Sequence, residues 1–246
     1  MARIEARDQR FAVNRFQHFL FFFSSWCLAA AAAPAPPDTI AERVKPCLSC
    51  HDAVGKTGKY EYYPRLHGKP RGYLFNQMLN FRDGRRSNRA MALLTQNLSD
   101  VYLAEIAGYF SAQEPRYPTA KDLTHETPAP ALIKQGDPAR NIPACTACHG
   151  KSLLGVAPNI PGLLGLPSDY VSAQMGAWRV ATRRAPAPDC MGEIAKQLSD
   201  IEVSAVATWL AAQPLPANPH PAPALTEALP LKCGSVPDIA LASPKP

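Results

Sequence analysis

Four cysteines and two histidines carry the chemistry of this chain. Cys47-Leu48-Ser49-Cys50-His51 and Cys145-Thr146-Ala147-Cys148-His149 repeat one five-residue spelling at an interval of 98 positions. Two thiols three positions apart, followed at once by an imidazole, form the attachment signature of a c-type haem. Each thiol can add to a haem vinyl group, and the imidazole then reaches the iron from one face. Cys47, Cys50, Cys145 and Cys148 are the candidate thioether residues, with His51 and His149 as iron ligands. Zinc held by the same cysteine pairs would leave the adjoining histidines and the paired methionines below unexplained.

The second axial ligand separates electron transfer from catalysis, because a filled sixth position keeps substrate off the iron and an open one admits oxygen or peroxide. Two methionine pairs are available. Met91 and Met191 lie 40 and 42 residues after their histidines, in what reads as loop just before a closing helix. Met78 and Met175 fall inside a helical pattern, where methionine is more often core filling. Met91 and Met191 are therefore the expected ligands. Both halves offering a methionine argues against a diheme peroxidase. His67 has no duplicated counterpart and reads as a surface or haem-edge residue, while His125 falls in the linker and His220 in the tail, where neither has a case as a ligand.

The elements that must position these groups are written twice. Pro64-Arg65-Leu66-His67-Gly68 aligns with Pro158-Asn159-Ile160-Pro161-Gly162 at an offset of 94, which sets His67 opposite Pro161. Tyr73, Gln77, Met78, Phe81, Arg82 and Arg86 align with Tyr170, Gln174, Met175, Trp178, Arg179 and Arg183 at 97, and Leu98-Ser99-Asp100 aligns with Leu198-Ser199-Asp200 at 100. Helical spacing predicts helices over 39–45, 73–81 and 168–180. Closing helices start at Ser99 and Ser199, the latter with a capping box to Glu202, and stop at Pro115 and Pro214. No stretch alternates convincingly as a strand. The expected fold is all-α: two tandem haem domains over 38–114 and 131–213, a Pro-rich linker over 115–130 and a Pro-rich tail over 214–246. Arg82, Arg86, Arg179 and Arg183 form duplicated basic loops that could contact haem propionates, face an acidic partner, or simply be solvated.

Residues 1–35 combine four arginines, a short apolar run from Phe19 to Phe23 and small residues before a Pro-rich break, the pattern of a secretory signal peptide. An uncleaved anchor is the alternative. The expected location is the periplasm. Removing that segment leaves 22 basic and 18 acidic residues, so the net charge falls from +6 to +4. Four propionates would bring it close to neutral, which removes a nucleic-acid reading. Cys190 and Cys233 remain after the haem motifs and Cys27 are set aside; an oxidising compartment lets them pair, and two unpaired thiols is the other reading. A bond there would pin the tail beside Met191.

Cys-x-x-Cys-His, Pro-x-Leu/Ile-x-Gly, Tyr-x-x-x-Gln, a basic loop, Met and Leu-Ser-Asp follow in that order twice. Each half thereby resembles a class I cytochrome c, and the whole is similar to the diheme cytochrome c4 family over residues 38–114 and 130–213. The resemblance implies two covalently bound haem c groups with His/Met ligation in a soluble electron carrier that is not an enzyme. It implies that Pro64 and Pro158 offer their carbonyls to His51 and His149. Its partners would be redox proteins: a quinol-oxidising complex or periplasmic dehydrogenase as donor and a terminal oxidase as acceptor, with any membrane association running through them. The alternative is a cytochrome subunit dedicated to one dehydrogenase. The long tail, Cys190 beside Met191, and the Ala185–Pro188 loop depart from the family pattern.

Overall fold

The computed structural model describes residues 38–51, 56–57, 62–117 and 130–236. The expected signal peptide, linker residues 118–129 with His125, and tail residues 237–246 lie outside the described residues.

Both halves use the same helical plan. In the first, α1 (Ile40–Arg43) starts where the Thr39 hydroxyl accepts from the Glu42 N–H, and it leads into α2 (Lys45–Leu48), which carries Cys47. Strands β1 (Lys56–Thr57) and β2 (Tyr62–Tyr63) pair antiparallel. Helices α3 (Arg71–Arg82), α4 (Arg89–Thr95) and α5 (Asp100–Ser111) follow. The second half supplies α6 (Ala131–Lys134), a 3-10 turn over Pro138–Arg140 and α7 (Cys145–His149). Strands β3 (Gly155–Val156) and β4 (Ile160–Pro161) pair antiparallel. Helices α8 (Ser168–Arg179), α9 (Cys190–Gln197) and α10 (Asp200–Ala212) complete it.

The closing helices organise each core. Leu103, Ala107 and Phe110 on α5 are buried at helical spacing, and Val203, Ala207 and Leu210 repeat them on α10 100 residues later. Ser99 and Ser199 cap these helices, and Ser199 and Glu202 form the expected capping box. At the other end the Gln113 and Gln213 side chains donate to the carbonyls of Tyr109 and Trp209, so both ends of the element are duplicated. Helix α3 packs on α5, and α8 packs on α10.

Two expectations need correction. Two short strand pairs exist where no strand was expected; at two residues each, they are too short for alternation to register. Met91 and Met191 sit in the first turns of α4 and α9 rather than in loops. Asn88 caps α4 by accepting from the Met91 N–H, and Asp189 caps α9 by accepting from the Gly192 N–H. A side-chain oxygen taking up a free amide is what lets so short a helix begin.

The halves meet through equivalent segments. The backbones around Arg86 and Arg183 run antiparallel: Ser87 N–H donates to the Thr182 carbonyl at 2.7 Å and Arg184 N–H to the Arg85 carbonyl at 2.6 Å. Tyr73 N–H donates to the Pro158 carbonyl at 3.1 Å, and the rings of Tyr62 and Tyr170 meet edge to face at 5.3 Å. Gly72 is required where α3 starts, because a Cβ there would collide with the Asn159 side chain and the Pro158 carbonyl.

Candidate functional site

The pentapeptides are bent into one helical turn. His149 closes α7, and in the first copy the His51 N–H donates to the Cys47 carbonyl at 2.9 Å, an i to i−4 bond. One turn returns the chain to the same side after three to four residues, so both thiols and the imidazole of each motif share a face. All four thiols are unbridged. Burial raises the Cys47 and Cys148 thiols and pushes Cys145 up to about 11, so these groups stand protonated at neutral pH.

Each imidazole is fixed by a backbone carbonyl. His51 Nδ1 lies 2.8 Å from the Pro64 carbonyl oxygen, and His149 Nδ1 lies 2.8 Å from that of Pro161. A carbonyl only accepts, so Nδ1 carries the proton and Nε2 keeps the lone pair that a metal needs. Burial holds the His149 pKa below its ordinary value, against the Pro161 hydrogen bond, and keeps that ring neutral.

The expected partner Pro158 does not contact His149; its carbonyl is taken by Tyr73. The equivalent of Pro64 is Pro161, at an offset of 97. The same offset relates Gly68 to Gly165, both in the left-handed region (φ +67° and +72°), and Pro70 to Pro167, which precede α3 and α8. His67 therefore stands opposite Leu164 rather than Pro161, and it stacks on Phe110 at 5.7 Å.

The methionine pairs separate clearly. Met78 packs against the core formed by Val44, Leu74 and Phe110, and Met175 packs against Leu132, Leu198 and Val203, as core filling requires. Met91 and Met191 belong to none of the core clusters among the described residues.

The arginines divide the same way. Arg82 donates to Asp100, Asp83 and the Leu98 carbonyl, and Arg179 pairs with Asp200, so these two brace the start of each closing helix. Arg86 and Arg183 lie between the halves. Arg86 donates to Gln77 Oε1 at 2.9 Å, Gln174 Oε1 at 2.8 Å and the Tyr170 hydroxyl at 3.2 Å. Arg183 donates to Gln174 Oε1 at 2.7 Å and Gln77 Oε1 at 3.2 Å. Each guanidinium lies over an aromatic ring, Arg86 on Phe81 at 4.7 Å and Arg183 on Trp178 at 3.8 Å. Burial and then the Arg86 charge push Arg183 down to about 10, so it remains a cation at neutral pH.

Sequence reasoning missed two members of this cluster. Lys69 is 7% exposed, and burial followed by the charges of Arg65, Arg86 and Arg183 pushes it down to about 7. Its position in the second half is Leu166, so no repeat marked it. Trp178 Nε1 is buried with no hydrogen-bond partner among the described residues. Among the described residues the Arg86 and Arg183 guanidiniums are bonded to neutral groups, and with the orphaned Trp178 N–H they form a donor set for carboxylates.

No protein-family model matches the chain. It is 36% identical over 192 residues to the thiosulfate dehydrogenase electron acceptor of Thiomonas intermedia, covering 77% of this chain and 86% of that protein. It is 35% identical to cytochrome c4 of Pseudomonas aeruginosa over 67% of this chain and 82% of the relative. Among solved structures, reduced cytochrome c4 from Pseudomonas stutzeri superposes with a TM-score of 0.58 at 26% identity, covering 70% of this chain and 96% of that one. The thiosulfate dehydrogenase TsdBA of Marichromatium purpuratum gives a TM-score of 0.57 at 34% identity, covering 68% of this chain but only 36% of that one.

Proposed function

The chain belongs to the diheme cytochrome c4 family, an electron-transfer family with two covalently bound haem c groups, and from that premise we propose that it is a periplasmic carrier serving a dehydrogenase. Within it, Cys47 and Cys50, then Cys145 and Cys148, would hold the two macrocycles, with His51 and Met91 on one iron and His149 and Met191 on the other. Haem c supplies a one-electron couple, and His/Met ligation favours its reduced form relative to two histidines.

The protein's own residues do three things. Pro64 and Pro161 fix the imidazole tautomers through their carbonyls. Asn88 and Asp189 set the turns that carry the methionines. Arg86, Arg183, Lys69 and the Trp178 N–H gather positive charge and donors between the halves, where propionates would satisfy them. Arg82 and Arg179 are already engaged by aspartates and brace helices instead.

The observation that carries this reading is the duplicated bond from a histidine Nδ1–H to a proline carbonyl inside a duplicated attachment motif. The test is a haem assay with the spectrum of the oxidised protein. Two haems per chain are expected, with the weak far-red band of ferric iron–thioether bonding at full intensity for both. Its absence would refute the methionine assignment.

The electron acceptors of thiosulfate dehydrogenase among the relatives favour a dehydrogenase as donor, with a terminal oxidase downstream. Rapid reduction of the oxidised carrier by a thiosulfate dehydrogenase tests the donor. A dedicated dehydrogenase subunit is the second reading, favoured by the same relatives, and a stable co-purifying enzyme would distinguish it.

A further inference from the structure

We propose that residues 214–236 are a strap, locked by the Cys190–Cys233 disulfide, that fixes the turn carrying Met191 and ties it to the first half. The consequence for Met191 rests on the reading that it ligates the second iron.

The path of the tail carries the inference. After α10, Leu215 packs on the second core with Leu153 and Leu210. The Pro219 carbonyl then accepts from the Tyr117 hydroxyl at 3.1 Å. Ala222 joins the edge of β3 in parallel, donating to the Gly155 carbonyl at 2.9 Å and accepting from Ala157 N–H at 2.8 Å. The chain next reaches Cys233, bonded to Cys190 with a Cα–Cα separation of 5.3 Å. Gly234 N–H donates to the Pro188 carbonyl at 2.9 Å, and any Cβ on Gly234 would strike the Pro186 and Ala187 carbonyls. One residue later the Ser235 carbonyl accepts from Asn76 Nδ2 at 2.9 Å. Asn76 belongs to α3, in the first half.

Three consecutive residues thus grip three things: the first residue of α9, the loop that precedes it, and the opposite half. That loop is also tied inward, since Asp189 accepts from both Ala185 and Gly192. Among the described residues no covalent or tail contact braces α4, which packs on α3 and has its Asn88 cap and the Thr95 hydroxyl donating to the Met91 carbonyl at 2.8 Å. The prolines of the tail restrict its unfolded states and so favour a fixed, extended course held by few bonds.

The experiment compares the oxidised holoprotein with Cys233→Ser and Asn76→Ala by amide exchange and by cyanide binding. In Cys233→Ser, amides of 185–192 should exchange at least about tenfold faster while those of 88–95 are unchanged, because local opening is released only where the strap held. Cyanide binding should then accelerate in one of its two phases by about tenfold, following the more frequent opening of one methionine turn. Asn76→Ala, the milder change, should speed exchange at Gly234 and Val236 and leave cyanide binding unaltered. Unchanged exchange over 185–192 in Cys233→Ser overturns the strap. Faster exchange with both cyanide phases unchanged overturns its positioning of Met191. A wild-type spectrum lacking the thioether band at one haem refutes the ligand reading instead, and the exchange result still decides the strap.

Discussion

Replacing Arg183 with Met separates the two kinds of arginine. Arg183 is 6% exposed and remains charged, and among the described residues its side chain meets neutral groups, the amides of Gln174 and Gln77 and the Tyr73 hydroxyl. No carboxylate among the described residues pairs with it, so its charge acts on whatever lies near it. The ferric state carries one more positive charge than the ferrous, so deleting a neighbouring cation stabilises the oxidised form and lowers the potential. For a unit charge about 10 Å from an iron in an effective dielectric near 20, the change is roughly 1.7 kcal/mol, or about 70 mV for a one-electron couple. Arg82→Met is the control. Its charge is already offset by Asp100 and Asp83 near solvent, so its effect should stay below about 15 mV. Spectroelectrochemical titration of the holoproteins resolves both couples, while the thioether band and the melting transition confirm intact folds. If Arg183→Met leaves both potentials within about 10 mV of wild type, or if Arg82→Met matches it, the propionate role of the interface cluster is wrong.

Glu202 gives a pH-dependent prediction. Hydrogen bonds from Arg140 and then from the Ser199 N–H and hydroxyl hold its carboxyl at about 2, below the ordinary 4.5. A depressed carboxyl stabilises above pH 4.5 and loses that contribution as pH falls toward 2, so acid titration of Glu202→Gln should show a flatter decline of the second half over that window, and an unchanged slope would refute the linkage. Gly155→Ala should destabilise the fold by about 1–3 kcal/mol from backbone strain alone, measured by denaturant unfolding. The reason is that Gly155 has φ +93° and a Cβ there would press on Ile160, Pro161 and Gly162. Cys233→Ser opens a loop of 43 residues, which relaxes the unfolded chain by about 4 kcal/mol in the loop-entropy view, so its midpoint should fall clearly below that of Asn76→Ala.

What the sequence disclosed depended on whether chemistry was written into spacing. Haem attachment was legible because thiol and imidazole must recur within one helical turn. The closing helices were legible because their burial pattern and caps repeat. The second-half carbonyl was misplaced because Pro158-x-Ile-x-Gly162 and Pro161-x-Leu-x-Gly165 both fit the pattern of the first half. The offset of 97 kept by Tyr73 and Tyr170 favours the second, and geometry agrees. The interface cluster was half visible. Gln77 and Gln174 recur, yet a repeat alone does not say that each amide serves the arginine of the other half. Lys69 has no copy and owes its role to burial, a property of the assembled halves.

The duplication and its departures act at different places. The centre of the contact between halves is built from duplicated residues: Arg86 and Arg183, Gln77 and Gln174, and Tyr73 and Tyr170 around one antiparallel crossing of the Arg86 and Arg183 backbones. Such an interface is self-complementary, since each segment meets its own copy, and a tandem duplication provides both sides at once. Two unduplicated supports fall on the second half. Arg140 joins the Ser199–Glu202 capping box to Asp137, whereas Tyr102 occupies the corresponding place after Ser99; the Cys190–Cys233 bond has no partner in the first half either. The two matched methionine turns are thus held by unequal supports. The first methionine turn rests on one cap and one hydroxyl, while the second is covalently braced and tied across the interface. The chain thus keeps symmetry at the contact between its halves and differs in how firmly each methionine turn is held, so perturbation should loosen the first turn before the second.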